Sequence, residues 1–304
     1  GMDMKKKRRK IRLSQCMIVK NEEKNIRRAL SWGRGIVCEQ IVVDTGSTDR
    51  TVEIAKEMGA EVYHFAWCDD FSAAKNYAIE QASGDWIAFL DADEYFDEKN
   101  TSKLLPVIAA AEDMSRPGKV IHAIRTGRAN LDEKGAAGVI DQQDRVFRNM
   151  KNLRYANRIH EALHVSGGGT YECLYAGDEL IILHTGYTAE AYEETRKLER
   201  NISMLEKELE ENPHNAATLA YLGDSYMTMK QFDKAKEYFH KAVSYGMEQV
   251  DKRVGIEVHV LRSIIMLLAL YNREPDPAQE ETVRELHRQY AEVDSAYPDG
   301  DCYF

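Results

Sequence analysis

The chain has 304 residues, of which 43% are hydrophobic and 30% charged, a composition typical of a globular protein large enough for more than one domain. Its formal net charge of −10 argues against nucleic-acid binding as the main role, because nucleic-acid-binding domains are usually basic. No apolar stretch approaches the roughly 20 residues that a membrane-spanning helix needs.

The basic start and the cysteines indicate where the protein works. Residues 5–10, KKKRRK, predict a disordered basic tail over residues 1–10, and contact with anionic lipid is the alternative interpretation. No long apolar segment follows this start, so no signal peptide is expected. The five cysteines form no Cys-x-x-Cys pair, which argues against zinc and redox motifs. We expect a cytoplasmic protein, or one at the inner membrane surface if its acceptor is membrane-bound.

Short apolar segments alternate with helical patterns over the first 90 residues. The pattern predicts strands at residues 11–19, 41–43, 61–65 and 86–90, with helices after the first three, the third helix covering residues 71–82. Gly46 permits a tight turn, and Ser47, Thr48 or Asp49 can cap the second helix. Because the connections are short, we expect a mostly parallel, Rossmann-like α/β sheet with right-handed crossovers.

Three acids, Asp91, Asp93 and Glu94, directly follow the apolar run at residues 86–90. A buried parallel strand would place them at its C-terminal end, where open α/β sheets bind ligands. Paired carboxylates there suit a hard divalent cation that also contacts phosphate oxygens. An acidic loop or a helix cap is the alternative interpretation.

Seven short motifs occur in order along the chain: MIVKNEE (17–23), VDTGSTD (43–49), FSAAKN (71–76), FLDADE (89–94), RVFR (145–148), IHE (159–161) and LHTGY (183–187). Together they resemble the family 2 glycosyltransferases of the GT-A type. The resemblance covers residues 11–188, the size of one large α/β domain. It implies transfer of a sugar from a nucleotide sugar to an acceptor, with inversion at the anomeric carbon.

The resemblance assigns Mg²⁺ or Mn²⁺ to the acids, where the cation stabilises the departing nucleotide diphosphate. Asp93 is expected to be a direct ligand, and Asp91 to contact the ribose or the metal through water. Glu94 is expected to cap the next helix. His184 is a third metal ligand or a diphosphate contact, or else a histidine satisfied in the core.

Other candidates border the expected nucleotide pocket. Asp44 follows a strand directly and is expected to accept a hydrogen bond from uracil N3 of a UDP donor, and capping the turn at Gly46 is its competing role. Lys20, Asn21 and Glu22 follow the first strand and are expected beside the same pocket. Asn21 is also a plausible helix N-cap, and Glu22 suits a first helical turn.

Basic residues are candidates for contacts with phosphate. Lys75 lies in the third helix, with Asp70 just before it, and is expected either to pair with the donor phosphates or to face solvent. Arg145 and Arg148 are expected to point together to one face of a strand, as a clamp for phosphate or acceptor or as members of ion pairs.

An inverting enzyme needs a general base beside the acceptor. By resemblance Glu161 is the first candidate and His160 the second, and a salt bridge from Glu161 to Arg145 or Arg158 is the structural alternative. Residues 167–169, three consecutive glycines, predict a flexible loop and a possible lid.

After residue 188 the pattern becomes entirely helical, with helices at residues 189–211, 254–271 and 278–293. Between them the apolar and small residues follow the tetratricopeptide spacing of two antiparallel helices: Leu219, Leu222, Gly223, Tyr226, Ala235, Phe239 and Ala242. We expect residues 189–304 to form an all-α unit docked on the sheet domain. It either buttresses that domain or binds a partner, such as the acceptor's carrier or a second copy of the chain.

The sequence therefore predicts a glycosyltransferase whose acceptor is a glycan, a lipid-linked saccharide or a peptide. Two alternatives stay open. A nucleotidyltransferase also uses carboxylates and Mg²⁺ on an α/β sheet, but it would release pyrophosphate instead of UDP. An inactive scaffold would act through its helices alone, and the intact acids and the pair His160–Glu161 argue against it.

Overall fold

The computed structural model describes residues 10–132, 135–136, 138, 141–185, 191–249 and 257–293. The chain divides into two compact units, residues 1–188 and residues 189–304. Most of the basic tail and residues 186–187 of the last motif lie outside the described residues.

The first unit is built on a nine-stranded sheet. Its strands are β1 (Leu13–Val19), β2 (Glu39–Asp44), β3 (Glu61–His64), β4 (Trp86–Phe89), β5 (Glu94–Tyr95), β6 (Ile121–Asp132), β7 (Gly135–Ala136), β8 (Asp141–Arg148) and β11 (Glu172–Thr185). Strands β9 (Leu153–Ala156) and β10 (Ala162–Val165) form a separate hairpin. The strand order is β3-β2-β1-β4-β8-β6-β11-β5, with β7 beside β6. Strands β1 to β4, β6 and β11 run in one direction and β5, β7 and β8 in the other, which confirms the mostly parallel α/β fold.

Strand β4 shows why the sheet lies at the centre of this unit. All four of its side chains are buried, and they alternate between two hydrophobic clusters. Trp86 and Ala88 pack in one cluster, while Ile87 and Phe89 pack in the other. Since successive strand residues point to opposite faces, the sheet is covered on both sides and β4 reads as a continuous apolar run.

Four helices accompany the sheet: α1 (Ile26–Ser31), α2 (Thr51–Glu57), α3 (Phe71–Glu80) and α4 (Glu98–Met114). Asn25, not Asn21, holds the N-cap position of α1. The carboxylate of Asp49 accepts the N–H of Thr51 at 3.0 Å, at the start of α2. Asp97 caps α4, so the expectation that Glu94 caps this helix is wrong.

The second unit contains α5 (Ala191–Glu211), α6 (Ala216–Thr228), α7 (Phe232–Glu248), α8 (Val258–Arg273) and α9 (Pro277–Val293). Helices α6 and α7 form the predicted tetratricopeptide-like pair. A Cβ atom at Gly223 would lie 2.6 Å from a ring carbon of Phe239, so only glycine permits this approach. Residues 254–256 of the predicted fourth helix lie outside the described residues. In the described part of the chain, no helix is long and apolar enough to cross a membrane.

Candidate active site

The carboxyl ends of β1 and β2 bring the first candidates together, because the parallel register places Val19 beside Asp44. The buried carboxylate of Asp44 accepts the N–H groups of Gly46 at 3.1 Å and Ser47 at 3.2 Å. It therefore caps the turn, which is the competing role considered for this residue. The uracil contact stays a prediction.

Asn21 joins the two loops that follow these strands. Its backbone is left-handed, with φ of 53°, and its side-chain oxygen accepts the N–H of Thr48 at 2.7 Å. The Glu22 carboxylate accepts a hydrogen bond from the side-chain amide of Asn25 at 2.9 Å, and Lys20 is exposed. The structure thus brings Lys20, Asn21 and Glu22 to the same sheet edge as Asp44.

The three acids after β4 lie together, with their nearest carboxylate oxygens within 4.8 Å of one another. The three acids differ in whether their carboxylate oxygens can bind a ligand. Glu94 is completely buried, and its Oε1 accepts Arg145 Nη1 at 2.5 Å and the N–H of Asp91 at 2.8 Å. Its Oε2 accepts Arg128 Nε at 2.9 Å. Because both oxygens are engaged, Glu94 organises the site, whereas Asp91 and Asp93 are the acids that can meet a ligand.

The neighbouring charges set the protonation states of this cluster. Burial by itself raises the pKa of Asp91, but Lys75 and Arg145 outweigh it and hold that pKa below its ordinary value. Burial, together with the charge of Asp91, raises the pKa of Glu94, and Arg145 opposes that shift. These influences favour the anionic form of Asp91 and the protonated form of Glu94.

His184 stands beside Asp93, because the antiparallel pairing of β5 and β11 places it opposite Glu94. His184 Nε2 lies 2.9 Å from Asp93 Oδ2, and its Nδ1 lies 3.0 Å from Asn130 Oδ1. The hydrogen bond to Asp93 is the main cause of the raised pKa of His184. The side chain is 22% exposed, so His184 lies at the site and not in the core.

Lys75 and Glu161 form a close ion pair. Lys75 Nζ lies 2.6 Å from Glu161 Oε1, and the two side chains are only 7% and 16% exposed. The alternative that Lys75 faces solvent is therefore wrong. Although burial lowers the pKa of Lys75, the charge of Asp91 and the contributions of Tyr155 and Glu161 raise it overall. The ammonium is thus influenced by both Asp91 and Glu161.

The remaining candidates take varied positions. Asp70 caps α3 by accepting the N–H of Ala73 at 2.9 Å. His160 is exposed, with a left-handed φ of 53°. The expectation that Arg145 and Arg148 share a face is wrong, because residues three apart in a strand point to opposite faces. Arg145 binds Glu94, whereas Arg148 lies 4.7 Å from the Trp86 ring centroid.

A β-bulge positions Arg145. Val146 pairs with Ile124 and Asp144 pairs with Arg125, so Arg145 is an extra residue in β8. Sequence reasoning missed this bulge and three contributors to the site, Arg128, Asn130 and Tyr155. The first two lie on β6, a strand that no motif marks, and a bulge leaves no signal in a single sequence.

Comparison with known proteins identifies the family of the chain. The model of glycosyl transferase family 2 matches residues 14–175, more than half of the chain. The chain belongs to glycosyl transferase family 2. This family 2 member is 30% identical to a TPR repeat-containing protein of Synechococcus elongatus, over 82% of its own length and 60% of that protein. It is 28% identical to the SPbeta prophage-derived glycosyltransferase SunS of Bacillus subtilis, over 83% of its own length and 58% of SunS.

The chain spans about three fifths of the length of these curated relatives. Among solved structures, its fold is similar to the 1–349 fragment of S. aureus TarS in complex with UDP-GlcNAc, with a TM-score of 0.52, 15% identity and 92% coverage of both chains. The same fragment with UDP gives a TM-score of 0.50 at 14% identity. These likenesses confirm the GT-A fold, and the first relative supports the tetratricopeptide-like character of the helical unit.

Proposed function

We propose that this family 2 member transfers a sugar from a UDP-sugar to an acceptor hydroxyl or thiol, with inversion and with help from a divalent cation. One observation carries the proposal. Lys75 forms an ion pair with the candidate base Glu161 at 2.6 Å, and the charge of Asp91 raises the pKa of the same ammonium against the effect of burial. Family membership and the UDP-GlcNAc complex of the TarS fragment support the choice of donor.

The residues present fit a hard cation. Asp93 Oδ2 and His184 Nε2 lie side by side, and both side chains are partly exposed. Carboxylate oxygens suit Mg²⁺ or Mn²⁺, and Mn²⁺ also accepts imidazole. We infer that Asp93 and His184 hold the ion and that Asp91 lies next to it. Such an ion would stabilise the negative charge that develops on the departing diphosphate.

The chain's own residues do the rest of the chemistry. Glu161, ion-paired with Lys75, accepts the proton of the acceptor nucleophile as that atom attacks the anomeric carbon. His160 is the second candidate for this role. Asp44 accepts the N3–H of uracil through a lone pair that the turn leaves unused. Lys20, Asn21 and Glu22 border the same pocket.

The donor and metal assignments are tested by calorimetry with UDP in the presence and absence of Mn²⁺. Asp93→Asn should lower the affinity for UDP with Mn²⁺ at least tenfold, the scale of about 1.4 kcal/mol, and should abolish the effect of the metal. Glu57→Gln, which removes an exposed partner of Arg27, is the matched control. An Asp93→Asn protein with unchanged affinity and metal dependence would refute the assignment.

The base is tested separately, with UDP-GlcNAc as donor. Glu161→Gln should leave UDP affinity intact and stop UDP release, because it removes a role in the chemical step and not in ground-state binding. Near wild-type turnover would move the role to His160 or another acid. Formation of pyrophosphate from a nucleoside triphosphate would favour the nucleotidyltransferase alternative.

The acceptor and the helical unit form a second part of the proposal. We infer that the helical unit, residues 189–304, binds the carrier of the acceptor or a second copy of the chain, and that the acceptor is a peptide, a glycan or a lipid-linked saccharide. The support is the complete helix pair α6–α7, since such pairs offer large surfaces without chemistry of their own. Light scattering of the full chain should show a dimer if self-association is the role, and a strict monomer would leave the carrier as the partner.

A further inference from the structure

We propose that Tyr155 and Phe89 are positioning residues whose rings hold the Lys75 ammonium against Glu161. The inference rests on the proposed function, in which Glu161 is the base. It assigns a role to Tyr155, which lies outside the seven motifs, and to Phe89, which opens the motif at residues 89–94 without a role of its own there. It also replaces the expected contact of Lys75 with donor phosphates by a contact with the base.

The geometry around Lys75 carries the inference. Its Nζ lies 4.8 Å from the ring centroid of Tyr155 and 5.3 Å from that of Phe89. The two rings pack edge to face, with centroids 5.5 Å apart. Cation–π attraction acts over this distance and is strongest where water is excluded. The Lys75 side chain, only 7% exposed, meets that condition.

The backbone next to Lys75 fixes Tyr155 in this position. Asn76 follows Lys75 in α3, and its side chain hydrogen-bonds both the N–H and the C=O of Tyr155 at 2.9 Å. The N–H of Phe71, at the start of α3, donates to the carbonyl of Arg158 at 2.8 Å. The segment that leads from Tyr155 to Glu161 is therefore tied to the helix that carries Lys75.

The ring of Tyr155, and not its hydroxyl, is the part that acts. Within the described residues the hydroxyl oxygen is buried and has no hydrogen-bond partner. Tyr155 and Phe89 therefore offer the same thing to the ammonium, namely an aromatic face. Lys75 contacts the aromatic faces of Tyr155 and Phe89 and the carboxylate of Glu161, so it has fewer rotamers than a lysine in water. Because the ammonium is fixed, its ion-pair partner Glu161 is kept in one orientation.

The experiment replaces Tyr155 by phenylalanine and by mono-, di- and trifluorophenylalanine in the full-length protein. Fluorine withdraws electron density from the ring face while it changes the shape little, so a cation–π contact weakens stepwise and ordinary packing does not. The series is made with Lys75 present and again with Lys75→Met, which removes the cation. Unfolding is followed by tryptophan fluorescence, and UDP release is measured with UDP-GlcNAc and Mn²⁺.

We expect the unfolding midpoint to fall stepwise with fluorination when Lys75 is present and to stay flat with Lys75→Met. The turnover number should fall between about twofold and thirtyfold across the series, the range from an exposed to a desolvated cation–π contact, while the KM for the donor stays constant. Tyr155→Phe should keep the wild-type turnover number, and Tyr155→Leu should have the turnover number of the most fluorinated variant.

If the unfolding midpoint falls equally with fluorination in the presence of Lys75 and with Lys75→Met, the cation–π contact between Tyr155 and Lys75 is refuted. Constant turnover across the series, with UDP release still abolished by Glu161→Gln, would overturn the positioning role and leave the proposed function standing. Continued UDP release by Glu161→Gln would instead refute the proposed base, and the positioning role would fail with it.

Discussion

Glu94→Gln is the change that most directly tests how the acids are organised. The substitution keeps the shape of the side chain and removes its charge. Glutamine must turn its NH₂ group either toward Arg145 and the N–H of Asp91 or toward Arg128. All of these groups are donors, so either orientation sets a donor against a donor.

The expected cost follows from this arrangement. One hydrogen bond to a charged group is lost, and Arg145, which is largely buried, loses its direct counter-ion. Breaking a buried pair on one side costs about 3–5 kcal/mol, because Arg145 then keeps only the weaker attraction of Asp91. For a unit of this size that loss lowers the unfolding midpoint by roughly 6–20 °C.

Tryptophan fluorescence isolates the relevant transition, because Trp32, Trp67 and Trp86 all lie in the first unit. Glu57→Gln, an exposed ion-pair partner, should leave the midpoint unchanged. A loss below about 1 kcal/mol for Glu94→Gln would refute the reasoning. It would show that Glu94 is already protonated in the folded protein, the direction in which burial and Asp91 raise its pKa.

Three further changes test other parts of the molecule. Asp144→Asn should destabilise the first unit at neutral pH and not in acid, which acid titration followed by fluorescence would show. Burial raises the pKa of Asp144, but the hydrogen bond from Arg125 lowers that pKa overall. The stabilising contribution of Asp144 is therefore present above a pH of about 3.9 and is lost as the pH falls through the pKa of the folded protein. Gly223→Ala should cost about 1–3 kcal/mol in urea unfolding followed by circular dichroism, because the added methyl group meets the ring of Phe239, and a stabilised protein would contradict the packing. Tyr155→Phe should raise the free energy of unfolding by about 1 kcal/mol, since it deletes a buried hydroxyl without a partner, and a loss of similar size would show that the hydroxyl is bonded.

Much of the fold could be predicted from the sequence, because its signals are local. The apolar run at β4 and the repeat around Gly223 both depend on spacing along the chain, and spacing is visible in one sequence. The neighbours Asp91 and Asp93 were placed correctly at a strand end for the same reason. Strand β6 is missed because no motif marks it, and helix α4 is expected only as the helix that follows Glu94, without bounds.

The partners within the site could not be predicted, because they come from distant parts of the chain. Lys75 and Glu161 are 86 positions apart and meet only when the β9–β10 hairpin packs against α3. Glu94 was assigned to a helix cap because its local context suits one, and two arginines from β6 and β8 instead bind it. At Glu94, tertiary contacts determine the role of the side chain, and the local sequence does not.

The bulge at Arg145 has a consequence for insertions and deletions. Ile124 and Arg125 are adjacent in β6 and face opposite sides, so their partners Val146 and Asp144 do the same, and deleting Arg145 would restore regular alternation without turning either side chain. The pair Asp144–Arg125 and the ring contact of Phe147 with Tyr155 would stay in place. What is lost is the ion pair of Arg145 with Glu94, so the deletion would leave this buried carboxylate with only Arg128 of its two arginines. Deletion scanning should therefore find this strand far less tolerant than the glycine turn at residues 167–169, where the chain is exposed.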